Sequence, residues 1–196
     1  MSPQVGILAL QGGYALHGNQ LDRCGVSWRL VKQPHELVGL KGLIMPGGES
    51  TALLKLMAPF QWQQAIMDFA AQGGAILATC AGLILSAKTV SPVQESLALL
   101  PITVERNAYG RQRESFTATG QCVDKNLGDG DLDMVFIRAP RITQVDPSVT
   151  ILATYHNEPV MVQQGRVIGA TFHPELSISP QVHHFFCDQM CSWSVK

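Results

Sequence analysis

Charge is scarce in this chain, and so are long apolar runs. Of its 196 residues, 15% are charged and the net charge is −1, with basic residues scattered along the sequence. That leaves no electrostatic footprint for nucleic acid or for an anionic membrane surface. No apolar run approaches the roughly 20 residues of a membrane-spanning helix. Met1-Ser2-Pro3-Gln4 lacks the basic start of a secretory signal, and the apolar stretch Val5 to Leu10 is short before Gln11-Gly12-Gly13. A cytoplasmic location is expected. Cysteines are few and unpaired in spacing: Cys24, Cys80, Cys122, Cys187 and Cys191 form an odd set, which fits a reducing compartment better than a disulfide framework. Cys187 and Cys191 can share a helix face, but no second ligand pair lies nearby, so buried thiols are favoured over a metal site. Asp124 to Asp133, with two glycines and four aspartates, lacks the spacing and closing glutamate of a calcium loop and reads as a solvated loop. Internal repeats and low-complexity tracts are absent.

What is present is a globular composition, 46% hydrophobic, with enough chain for one domain over residues 1–196 to bury a core without disulfide or metal staples. Val5 to Leu10, Ser27 to Val31, Gly42 to Met45 and Ala75 to Ala78 read as buried strands. Tyr14 to Cys24, stopped at Gly25, and Gln61 to Ala71, ended by Gly73-Gly74, carry helical spacing. Alternation of apolar strands with helices predicts an α/β fold, an open and mostly parallel sheet covered by helices on both faces. After about Ser91 shorter alternating segments follow: Ile102 to Arg106, Ser115 to Thr119, Met134 to Arg138, Ile151 to His156, Val160 to Gln163 and Val167 to Phe172. Some of these are expected to add antiparallel strands.

Three strand ends carry the residues with chemistry. Thr79-Cys80-Ala81-Gly82 follows an apolar strand directly and opens a helix expected over Ala81 to Lys88, the arrangement that holds a nucleophile on a sharp turn above a sheet edge. Gly82 permits close helix packing, the helix N-terminus favours a thiolate, and the Ala81 N–H is a candidate oxyanion donor. Taken alone, Cys80 is equally a small buried hydrophobe. Phe172-His173-Pro174-Glu175 ends a second apolar run; on an extended segment His173 and Glu175 share a side, so the carboxylate can orient the imidazole. His156 competes as the base, although Asn157-Glu158-Pro159 beside it reads as a hairpin turn. Pro46-Gly47-Gly48-Glu49-Ser50-Thr51 follows a third strand. Its glycines permit close approach to a ligand, the N–H groups of Gly47 and Gly48 can complete an oxyanion hole, and Ser50 is expected to cap the next helix. The loop lacks the Gly-Lys-Ser/Thr ending of a phosphate-binding loop.

Together these segments resemble the class I, or triad, glutamine amidotransferases. More narrowly, the chain is similar to the glutaminase subunits of pyridoxal 5′-phosphate synthases. The likeness includes Leu10-Gln11-Gly12, Pro46 to Thr51, Thr79 to Gly82, Val104-Glu105-Arg106-Asn107, Tyr109-Gly110-Arg111-Gln112, Ile137-Arg138-Ala139-Pro140 and Phe172 to Leu176. The resemblance implies a flavodoxin-like three-layer fold and a Cys80, His173, Glu175 triad that hydrolyses L-glutamine through a γ-glutamyl thioester. It places glutamine against Gly48, Glu49, Ser50, Arg106, Ile137 and Arg138. It also implies a separate, activating synthase subunit that takes up the ammonia, with pyridoxal phosphate as that complex's product and no cofactor or metal on this chain. Alternatives are the glutaminase of another pathway, such as imidazole glycerol phosphate synthase, or an inactive partner-binding subunit. The sequence departs from the family pattern at Ala78, where Gly is usual, at Thr117, where Glu is expected, and in Gly128-Asp129-Gly130.

Overall fold

Strands β1 (Val5–Leu8), β3 (Gly42–Met45) and β4 (Ala75–Thr79) are buried at every position, as strands covered on both faces must be. The computed structural model describes residues 4–106, 108 and 115–192, the last two by backbone alone. Asn107, Tyr109 to Gln112, Met1 to Pro3 and the Cys191 side chain therefore lie outside the described residues. With β2 (Trp28–Val31) and β12 (Val167–Ala170), the three buried strands form a parallel run in the order β2-β1-β3-β4-β12. Past β12 the sheet continues antiparallel through β11 (Glu158–Gln164), β10 (Thr150–Tyr155), β7 (Ser115–Cys122) and β8 (Asp131–Ile137).

Alternation along the strands divides the core. Leu43, Met45, Ile76 and Ala78 face a cluster that takes in Leu53 and Met57 of α2 (Ser50–Met57), Ile66 and Phe69 of α3 (Trp62–Ala71), and Leu83 of α4 (Ala81–Ser86). Val5, Ile7, Ile44 and Leu77 face the opposite cluster, with Leu21 of α1 (Tyr14–Arg23) and Val182, Phe185 and Phe186 of α5 (Gln181–Ser192). Successive strand side chains point to opposite faces, so each parallel strand contributes to both layers.

Four expectations are corrected. The helix after Cys80 ends at Ser86 instead of Lys88, because Ala87 is extended and Ala87–Ser91 forms β5. β5 joins β6 (Leu100–Glu105) and β9 (Arg141–Val145) in a second, three-stranded sheet, and neither β5 nor β9 has an apolar pattern long enough to announce itself. The aspartate-rich segment is loop only in its first part: β8 begins at Asp131, and Leu127 is buried. Glu49 rather than Ser50 caps α2, its carboxylate accepting from the N–H groups of Thr51 and Ala52; Ser50 is the first helical residue and hydrogen-bonds Gln94 instead. Among the described residues, no helix is long and apolar enough to cross a membrane, and no cluster of three or more His, Cys, Asp or Glu has metal-binding geometry.

Candidate active site

The carboxyl ends of β3, β4 and β12 open on a single cavity of about 370 Å³, the usual place for ligands in an open α/β sheet. Cys80 stands at its floor. Its backbone is held at φ 48° and ψ −102°, a region that a residue with a Cβ enters only under constraint. The constraint is visible: the Cys80 N–H donates to the Ala170 carbonyl at 2.9 Å, and α4 then presses against β3. A Cβ on Gly82 would lie 2.2 Å from the Met45 carbonyl oxygen, so glycine there is what lets the helix begin so close to the strand. Ala81 occupies the first helical position, where the helix supplies no acceptor for its N–H. Ala78, the departure beneath the turn, is fully buried among the core residues facing α4 and does not line the cavity.

His173 and Glu175 reach the cavity by a different geometry from the one expected. β12 ends at Ala170, and Pro174–Leu176 form a single 3-10 turn with His173 at its N-cap. Proline suits that first position because its fixed φ and missing N–H cost nothing there. The His173 N–H is tied to the Val135 carbonyl of β8 at 2.8 Å. The two side chains still meet: His173 Nδ1 and Glu175 Oε1 are 2.8 Å apart. On the other side of the ring, His173 Nε2 makes no hydrogen bond of ordinary geometry, yet the Cys80 thiol is near enough to act on its proton affinity.

Electrostatics follow from these contacts. Burial works to lower the His173 pKa, but the thiol and the Glu175 carboxylate together outweigh it and push the value up to about 10. At neutral pH His173 therefore carries a proton. Burial likewise opposes ionisation of Glu175, and the hydrogen bond from His173 with the charges of His17 and His173 still holds its carboxyl below the usual range. Cys80 Sγ is 3.9 Å from the Ile137 carbonyl oxygen.

Gly47 closes the cavity from β3. A Cβ there would lie 2.5 Å from His173 Cε1 and 3.3 Å from Cys80 Cβ, so only glycine lets the loop touch both. The Gly47 carbonyl in turn rests on Gly12, where an added Cβ would fall 1.7 Å from its oxygen. Gln11 Oε1 accepts the Glu49 N–H at 3.2 Å, tying the Leu10-Gln11-Gly12 segment to the same loop. Glu49 also pairs with Arg106 at 3.2 Å. Arg138 has an exposed side chain and a φ of 44°, and among the described residues it has no ion-pair partner. Gly48, Glu49, Ser50, Arg106, Ile137 and Arg138 all line the cavity with Cys80, His173 and Glu175. His156 does not: with Asn157, at φ 49° and 64°, it forms the turn between β10 and β11.

Two buried residues behind the triad carry no role in the sequence reading. His17 on α1 and His183 on α5 are fully buried, and their rings meet at 2.8 Å between His17 Nδ1 and His183 Nε2. Burial lowers the His17 pKa to about 4 against the pull of Glu175, and it holds His183 well below the ordinary range. Both are harder to protonate folded than unfolded. Stability is therefore expected to fall as pH drops from 6.5 toward 4, by up to about 3 kcal/mol for His17. His173 acts in the opposite sense, its contribution being full below pH 6.5 and lost as pH rises toward 10. A histidine-governed maximum in thermal stability near pH 6.5 is the expected outcome, read from unfolding temperatures across pH 4 to 10; a flat profile would count against these environments.

Comparison with known proteins agrees with this architecture. The pyridoxal 5′-phosphate synthase subunit PdxT of Deinococcus radiodurans is 45% identical over 188 residues, covering 93% of this chain and 94% of the relative. The PdxT of Geobacillus kaustophilus is 42% identical over 188 residues, covering 95% and 94%. Among solved structures, one described as a glutamine amidotransferase aligns with a TM-score of 0.88 and 39% identity over 95% of this chain and 98% of the other. PurLQS from Thermotoga maritima shares the fold alone, with a TM-score of 0.75 at 16% identity over 96% and 99%. A model of the SNO glutamine amidotransferase family matches residues 7–192. Cysteine turn, paired His-x-Glu and glycine loop thus sit on a chain that, over nearly its whole length, belongs to the SNO glutamine amidotransferase family.

Proposed function

We propose that this chain is the glutaminase of a two-subunit pyridoxal 5′-phosphate synthase, hydrolysing L-glutamine to L-glutamate and ammonia. The observation that carries this reading is the convergence of Cys80, held at positive φ, with the His173 and Glu175 pair in one cavity. Cys80 attacks the side-chain amide carbon of glutamine as the thiolate, its proton already held by His173, and the carbonyl oxygen takes up the negative charge. The N–H of Ala81 and those of the Gly47-Gly48 segment are the donors for that oxyanion. His173, protonated at neutral pH, gives its proton to the departing ammonia as the tetrahedral adduct collapses to a γ-glutamyl thioester. Water then attacks the thioester, His173 takes up a proton, and glutamate leaves as the sulfur is released.

Glutamine contacts fall to Gly48, Glu49 and Ser50, to Arg106, and to Ile137 with Arg138. Glu49 already engages Arg106, so Arg138, which has no ion-pair partner among the described residues, is the better match for the substrate α-carboxylate, and the Glu49 carboxylate suits the α-ammonium. Ammonia released into water would be wasted, so the site is expected to become fully active only on the synthase subunit, whose docking sets the Gly47-Gly48 peptide. Glutaminase activity measured with and without that subunit tests this. The free chain is expected to be about 100-fold slower, the cost of one missing oxyanion donor; equal rates would refute activation by the partner.

A further inference from the structure

The polar contacts of the site continue behind Glu175. Its Oε1 is hydrogen-bonded to His173, while its Oε2 lies 3.3 Å from His17 Nε2, a contact without the geometry of an ordinary hydrogen bond. Thr79 Oγ1, one residue before the nucleophile, is 3.5 Å from that same nitrogen. His17 Nδ1 then meets His183 Nε2 at 2.8 Å. The series runs from β4 through the 3-10 turn and α1 to α5, and every side chain in it is buried: Thr79, His17 and His183 at 0% exposure, Glu175 at 5% and His173 at 9%. Two imidazoles so placed forfeit their hydration, and apolar side chains would fill the same volume without that cost.

Donor and acceptor inventory orders the protons. A carboxylate only accepts, so the favourable tautomer of neutral His17 carries its proton on Nε2, toward Glu175 and the Thr79 hydroxyl. Its Nδ1 is then bare and accepts from His183 Nε2–H. His183 Nδ1, with no hydrogen-bond partner among the described residues, is left as the bare end of the series. Every nitrogen facing a neighbour has one role, with Glu175 Oε1 hydrogen-bonded to His173 and Oε2 in electrostatic contact with His17.

We propose that His17, held by His183, is a positioning residue of the glutaminase: it fixes the rotation of the Glu175 carboxylate, and through it the aim of the His173 ring. The proposal rests on the triad reading above. A carboxylate hydrogen-bonded through one oxygen can swing about its last bond, whereas a neutral imidazole dipole 3.3 Å from the other oxygen favours one plane; outer partners of this kind hold reacting groups in register elsewhere. Because burial keeps His17 neutral at working pH, it offers Glu175 a dipole without cancelling the charge that His173 needs.

Two substitutions of similar polarity separate positioning from filling space. His17→Gln keeps an amide N–H near the Nε2 position, within reach of Glu175; His17→Asn places its amide near Nδ1, toward His183 and short of Glu175. In the complex with the synthase subunit, His17→Asn is expected to lower kcat for glutamine about 10- to 100-fold with KM within about twofold, and His17→Gln to recover most of the loss. Equal losses in the two variants, a loss confined to KM, or no loss overturns the proposal. Nitrogen-15 NMR of histidine-labelled, unmutated protein needs no variant to fold: Nε2–H on His17 is expected, and Nδ1–H overturns it. Cys80→Ala in the same assay keeps the two readings apart. If it is active, the triad fails; if it is inactive while His17→Asn runs at the parental rate, only the positioning role fails.

Discussion

Cys80→Ala is expected to reduce glutamine hydrolysis about 10⁴-fold or more, the scale seen when a covalent nucleophile is removed from its triad. Alanine keeps the turn, since the backbone at φ 48° is imposed by the hydrogen bond to Ala170 and by packing of α4 on β3 and not by the thiol. It removes only the sulfur, so folding is expected to survive. In the complex with the synthase subunit, synthesis fed by glutamine is then expected to stop, while synthesis fed by ammonium continues at the other subunit's site. Parallel assays with the two nitrogen sources read this directly. Loss of both would place Cys80 in the assembly instead of the chemistry, and loss of neither would remove it from the mechanism.

Gly47→Ala is the second large effect. The added Cβ meets the His173 ring at 2.5 Å from Cε1 and 3.1 Å from Nδ1, and that ring is held from behind by Glu175 at 2.8 Å. One of the two contacts must give. If the ring moves, it leaves both Glu175 and Cys80; if the loop moves, the Gly48, Glu49 and Ser50 contacts shift with it. Either displacement is of order 1 Å, for which a loss of about 100-fold in kcat is expected, with about 1 to 3 kcal/mol of destabilisation from overpacking. Steady-state kinetics beside thermal unfolding separates the two. A variant with parental kcat would mean that the His173 ring is free to relocate, contrary to the geometry.

Much of this site is legible in the sequence because its signals are local. A buried strand followed at once by Cys80 and Gly82 can be read without a structure, and the contact of Gly82 with the Met45 carbonyl supplies the reason for that glycine. The approach of His173 to Glu175 is also foreseen, although a 3-10 turn and not an extended strand brings it about. What escapes is non-local. Ser50 looks like the helix cap, and Glu49 takes the role because its carboxylate reaches two N–H groups and Arg106 at once. β5 and β9 are recognisable only through their pairing with β6.

His17 and His183 are the clearest omission. A signal for them does exist in the sequence: His17 lies four residues before the buried Leu21 on α1, and His183 three before the buried Phe186 on α5. Polar residues on the inward stripe of an amphipathic helix must find partners. Which partners they find depends on α1 and α5 packing on the same face of the sheet, and no local pattern encodes that.

Covalent labelling tests the central claim most directly. The glutamine analogue diazo-oxo-norleucine alkylates the nucleophile of a glutamine-binding thiol site, and the complex treated with it can be digested and mapped by mass spectrometry. A single adduct on Cys80, suppressed by excess glutamine, with Cys24, Cys122, Cys187 and Cys191 unmodified, is the expected result. An unmodified Cys80, or glutamine-protected labelling at any of the other four, would contradict the account.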